Sequence, residues 1–130
     1  MITRFAAILF CVVTAIVGAI PAAAHHSNVF FEVTKIITLK GKVKEFHWSN
    51  PHTQLYILVD DGKGTQIEWR CEGRAPGILS RAGWSKNSFA PGEVITVEAS
   101  PARNGSKEAL IGRVTKADGT ILGNAPQPVE

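Results

Sequence analysis

Two runs of alternating hydrophobicity flank a short glycine-rich turn: "TQLYILVD" (53–60), "DGKG" (61–64) and "TQIEWRCE" (65–72). In the first run Leu55, Ile57 and Val59 share one face, with Tyr56 and Leu58 opposite. In the second, Ile67, Trp69 and Cys71 face one way and Gln66, Glu68, Arg70 and Glu72 the other. A period of two buries one face of a strand, and an Asp-Gly turn between two such runs reads as a hairpin. This hairpin excludes an all-helical fold and makes the rest of the chain a question of strand order.

"KIITLKGKVKEFHW" (35–48) supplies a long first strand with Ile37, Leu39, Gly41 and Val43 on one face. Phe46 and Trp48 take the other parity, which a bend or bulge produces, and Gly41 is expected to supply the bend. "SNPH" (49–52) is a turn. In "GRAPGILSRAGW" (73–84), Pro76 opens and Gly83 caps a short helix with Ile78, Leu79 and Ala82 as its apolar stripe. "GEVITVEAS" (92–100) alternates again, with Ile95 and Val97 on one side. "PARNGSKE" (101–108) is a polar loop in which Asn104-Gly105 reads as a hairpin turn rather than a glycosylation site. "ALIGRVTKADGTIL" (109–122) is a strand, an Asp118-Gly119 turn and a short return. The order is strand, strand, strand, short helix, strand, strand. That is the order of an all-β, OB-like five-stranded barrel, with a small β-sandwich as the competitor.

Residues 1–24 read as a secretory signal. Arg4 gives the positive start, residues 5–20 the uncharged apolar run, and Pro21 with Ala22-Ala23-Ala24 the cleavage pattern. Cleavage of the 130-residue chain after Ala24 leaves 106 residues: one domain over 25–122 and a loose tail at 123–130. A bacterial periplasm is the expected compartment, because a secreted eukaryotic domain of this size usually carries several disulfides. The membrane enters only through the signal. Of 14 basic and 11 acidic side chains, loss of Arg4 leaves a charge near +2, so nucleic acid is not an expected partner. Cys71 becomes the single cysteine of the mature chain, and its place on the apolar face makes it a buried small hydrophobe.

All four histidines precede residue 53, as His25-His26 and as His47 and His52 in "FHWSNPH". Neutral imidazole is a common ligand for zinc and copper. An N-terminal His25 would bind Cu(II) through its amine and its imidazole, and His47 or His52 would complete a T-shaped nitrogen site. An Ala24 start would instead place His26 third, where amine, backbone nitrogens and imidazole chelate Cu(II) or Ni(II). The plain alternative is polar surface: His52 bonded within its turn and His47 packed beside Trp48. A blue-copper site is disfavoured, since no histidine follows Cys71 and the sole methionine is Met1. The acidic residues show no paired-carboxylate pattern. No P-loop, dinucleotide fingerprint or haem motif is present.

Of three tryptophans, Trp69 is expected in the core and Trp84, between the helix cap and polar "SKNS", at the surface. Trp48, Asn50 and Trp84 are therefore candidate ligand-binding residues.

"AHHS" (24–27), "GKVKEFHWSNPH" (41–52), "IEWRCEGRAPGILSRAGW" (67–84), "GEVITVEASPARNGS" (92–106) and "DGTIL" (118–122) together resemble a family of small exported proteobacterial proteins described as a domain of unknown function. The resemblance covers nearly all of the mature chain, and the Trp-x-Asn-Pro-His element at 48–52 is its most specific part. It implies export and one β-rich domain, and no activity. It favours His25, His26 and His52 as ligands over His47. The expectation is an exported periplasmic binding module that binds copper or zinc through His25, His26, His52 and His47. A metal-free module for a small ligand or a periplasmic protein is the alternative. A copper-dependent enzyme comes third, with no substrate or catalytic residue readable.

Overall fold

The computed structural model describes residues 29–124. The signal, His25, His26 and the end of the tail lie outside the described residues. The elements are β1 (Ile37–His47), β2 (Gln54–Asp60), β3 (Gln66–Glu72), α1 (Pro76–Arg81), β4 (Val94–Pro101), β5 (Glu108–Lys116) and a short β6 (Ile121–Gly123).

The strands lie in the order β3-β2-β1-β4-β5-β6, antiparallel throughout, and β5 returns to pair in parallel with β3. That last ladder, Arg70–Glu72 against Glu108–Leu110, closes five strands into a barrel. A closed five-stranded Greek key with its helix between the third and fourth strands is an OB barrel. β6 is the short return of the last hairpin and pairs only with β5.

The interior follows the alternation. Leu39, Val43, Leu55, Ile57, Cys71, Ile95, Val97, Ala99, Ala109 and Val114 are buried in one cluster. The change of parity in β1 is a bulge between Val43 and Glu45, which opposes the extra residue Lys44 to the Ile57–Tyr56 step of β2. It turns Phe46, rather than Glu45, toward the core. Gly41 has a different role from the expected bend. It pairs with Val59 on β2 and Ile95 on β4 at once, and a Cβ there would stand 2.5 Å from the Leu58 carbonyl oxygen.

α1 closes one end of the barrel. Pro76 occupies its first turn, where a missing N–H costs nothing. At its end Gly83 adopts φ +84°, its N–H donates to the Ser80 carbonyl, and the Trp84 N–H donates to that of Leu79. This is a Schellman motif, which sets the residue after the glycine against the last turn of the helix. The expectation that Trp84 is an exposed ligand-binding aromatic is therefore corrected. Trp84 is only 3% exposed and packs on Phe89 and Phe46, with ring centroids 5.3 and 6.4 Å away. Of the expected helical stripe only Leu79 is buried, while Ile78 stays in solvent.

Candidate functional site

Register places a row of polar residues on the outer face of β1–β2–β3. Glu45 lies opposite Tyr56, Tyr56 opposite Arg70, and Arg70 opposite Glu108 of β5. One step nearer the 48–53 turn, His47 lies opposite Gln54 and Gln54 opposite Glu72. The face is laced by ion pairs: Lys44–Glu68 at 2.6 Å and Arg70–Glu108 at 2.8 Å. The carboxylates hold both cations in their charged form, raising Lys44 through its hydrogen bond to Glu68 and Arg70 through its bond to Glu108.

Each histidine of "FHWSNPH" finds a carboxylate on this face. His47 Nε2 is 2.9 Å from Glu45 Oε2, and its ring rests on Tyr56 at 5.3 Å rather than beside Trp48. His52 Nδ1 is 3.1 Å from Glu72 Oε1, so its ring lies against a carboxylate of β3 as an ion-pair contact. The Glu72 carboxylate is the more desolvated, with 18% of its side chain exposed against 44% for Glu45.

The turn is fixed to β3 by backbone. The Gly73 N–H donates to the Thr53 carbonyl at 2.9 Å, and the Thr53 N–H donates to the Arg74 carbonyl at 3.3 Å. The Thr53 hydroxyl, fully buried, donates to the same Arg74 oxygen at 3.1 Å. "NPHT" and "CEGR" are thus two halves of one junction, with His52–Glu72 as its outer ion pair.

Of the other candidates, Asn50 is exposed in the turn and Trp48 is half-buried against Phe46 at the barrel end, away from the histidine face. Trp69 faces inward as expected and is partly exposed at the barrel mouth, where β5 begins to pair only at Arg70. Lys107 Nζ covers its ring at 5.2 Å. Cys71 is fully buried, and burial pushes its thiol from 9.0 to about 12, so it is no nucleophile.

Among the described residues, no group of three or more His, Cys, Asp or Glu converges as a metal cage. The barrel supplies two carboxylate–imidazole pairs. The carboxylates Glu45 and Glu72 escape a reading of the sequence. Alternation puts Glu72 on the outer face, but only register shows which imidazole it meets.

A family model matches residues 13–112, from the apolar N-terminal run into β5. The chain belongs to DUF6152, a family of unknown function. No curated protein matches this DUF6152 chain. Two crystal forms of the mitochondrial single-stranded DNA binding protein Rim1 from S. cerevisiae are similar to it. One is 13% identical at a TM-score of 0.48, covering 70% of this chain and 96% of that one. The other is 11% identical at the same TM-score of 0.48, covering 72% and 98%.

The closed OB barrel corrects the exclusion of nucleic acid as a partner, which rested on net charge alone, because this architecture is one that binds oligonucleotides in other proteins. A net charge is a sum over the whole surface, while a ligand meets one face of it. This DUF6152 chain is an OB barrel, an architecture whose β2–β3 face and adjoining loops carry ligands in many binding modules.

Proposed function

We propose that this DUF6152 chain is an exported, periplasmic binding module for a divalent transition metal, Cu(II) or Zn(II). His52 and His47 of the barrel hold the ion together with His25 and His26 of the processed N-terminal segment. The observation that carries the reading is that His47 and His52 lie against carboxylates of the same face: His47 heads the register row His47–Gln54–Glu72, and His52 contacts Glu72 at its end. Imidazoles held by carboxylates are a common setting for metal ligands.

Chain connectivity supports the same reading. Phe31 bridges Ala102, the Ala102 N–H donates to the Glu108 carbonyl, and Glu108 pairs with Arg70. Three interstrand steps of about 4.8 Å put Phe31 about 14 Å from Arg70 across the sheet, and Glu72 lies about 7 Å further along β3. Val29 and Phe30 are helical, so the six residue steps from His25 to Phe31 span at most about 17 Å, against a diagonal of about 16 Å from Phe31 to Glu72.

The test uses the exported chain, untagged, with its N-terminus established by mass spectrometry. Titration with Cu(II) and Zn(II) is expected to give one site with a Kd below about 10 μM, worth more than roughly 7 kcal/mol. A His26→Ala/His52→Ala variant is expected to lose it. Weaker binding, or binding unchanged in that variant, refutes the metal. A single-stranded oligonucleotide titrated into the same preparation is the competing arm. Binding there without metal binding replaces this reading with a nucleic-acid one.

A further inference from the structure

We propose that Asn104 is a site of spontaneous covalent modification, where the side-chain amide closes on the Gly105 backbone nitrogen and leaves a carboxylate beside the barrel mouth. The step is a deamidation through a cyclic imide. The Gly105 nitrogen gives its proton to solvent base and attacks Asn104 Cγ, the amide Cγ–N bond breaks, and ammonia leaves. Water then opens the imide at either carbonyl. One opening gives aspartate; the other gives isoaspartate, in which the main chain passes through Cγ. Water is the only reagent and ammonia the only product released. The site stands apart from the metal reading.

The sequence holds asparagine at 28, 50, 87, 104 and 124, and only Asn104 is followed by glycine. Ring closure needs an unhindered N–H in the next residue. Pro51 denies one to Asn50, whereas Gly105, without a Cβ, leaves the approach open. Gly105 sits at φ +78°, and even a Cβ built on it would meet nothing within 4 Å. Arg103, Asn104 and Gly105 are all exposed, so water and base reach the peptide. Two bonds shape the turn. The Ser106 N–H donates to Asn104 Oδ1 at 2.9 Å, which draws the side-chain carbonyl back over the Asn104–Gly105 peptide. The same donor faces the oxygen on which charge grows as Cγ becomes tetrahedral. The Gly105 N–H donates to the Ala102 carbonyl at 3.2 Å, the long end of the range for such bonds, and so holds its proton weakly. The loop is also placed to register the change. The Lys107 carbonyl accepts the Arg70 N–H, its Nζ covers Trp69 at 5.2 Å, and Ala102 bridges Phe31. Isoaspartate adds a methylene to the backbone between Ala102 and Ser106, which breaks both turn bonds and loosens the loop.

The test uses the exported chain, warmed at mildly alkaline pH and followed by peptide mass spectrometry, with a parallel sample in urea. A gain of one dalton is expected at Asn104 in the native chain, with isoaspartate as the main product, while Asn50 and Asn87 stay intact over the same interval. Asn104→Gln would have to close a larger ring, so it should fold and stay unmodified. Once converted, the native chain should exchange its amides at 101–108 faster than the parent does. An Asn104 that stays intact in the native chain, whether or not urea releases it, overturns the proposal. Aspartate formed without isoaspartate marks direct hydrolysis and overturns it too, as does an equal gain at 104 in Asn104→Gln. Conversion that leaves exchange at 101–108 unchanged refutes the loosening of the loop.

Discussion

Replacing Gly73 by alanine tests the junction that carries the candidate site. Gly73 is buried, and a Cβ built on it overlaps Thr53 Oγ1 and comes within 3.5 Å of Leu79 Cδ1. Thr53 is fully buried and β-branched, so its hydroxyl has little freedom to rotate away. Overpacking of this kind costs about 1–3 kcal/mol. Displacing the hydroxyl also forfeits its bond to the Arg74 carbonyl, about 0.5–1.5 kcal/mol. The lower entropy of an unfolded alanine returns about 0.4–1 kcal/mol. The net is a loss of about 2 kcal/mol, which lowers the Tm of a domain this size by about 10 °C. Urea unfolding followed by tryptophan fluorescence measures it. Thr53→Ala alone should cost about 1 kcal/mol, because the Arg74 oxygen keeps the Thr53 N–H as donor. In the Thr53→Ala background the alanine at 73 has room, and its cost should fall below about 0.5 kcal/mol. The cycle then shows a coupling of roughly 1.5 kcal/mol. A Gly73→Ala protein as stable as its parent, or equal costs in both backgrounds, refutes the junction.

Three further outcomes follow from burial. Cys71 should resist a thiol reagent in the native protein and react fully in denaturant, since it is fully buried. Its thiol is raised from 9.0 to about 12, so above pH 9 the unfolded chain loses that proton while the folded chain keeps it. Stability should therefore fall with rising pH by about 1.4 kcal/mol per unit between those values, and the decline should be shallower in Cys71→Ala. Trp84, sealed under α1, should be shielded from acrylamide and should cost about 3–5 kcal/mol when replaced by alanine, whereas Trp69 at the barrel mouth should be quenched more readily.

Much of this was legible before the fold. The inward faces of β2, β3 and β4, the burial of Cys71, the glycine cap of α1 and the closing short hairpin all depend on neighbours within a few residues. The place of Trp84 was legible in principle too: a tryptophan directly after a capping glycine packs back on its helix. The polar residues that follow it masked that signal.

The pairing of His52 with Glu72, twenty residues apart in sequence, depends on register. So does the stacking of His47 on Tyr56. A bulge of one residue in β1 decides which of Glu45 and Phe46 faces out, and the glycine that seemed to mark the bend serves two ladders instead. By itself the sequence determined which residues form strands and which faces they bury, because alternation and turn chemistry act locally. Only the tertiary structure decided which side chains meet. Closure of β3 on β5 and the alignment of neighbouring strands are set by the packing of the whole barrel, and a shift of one residue would exchange every contact on the face.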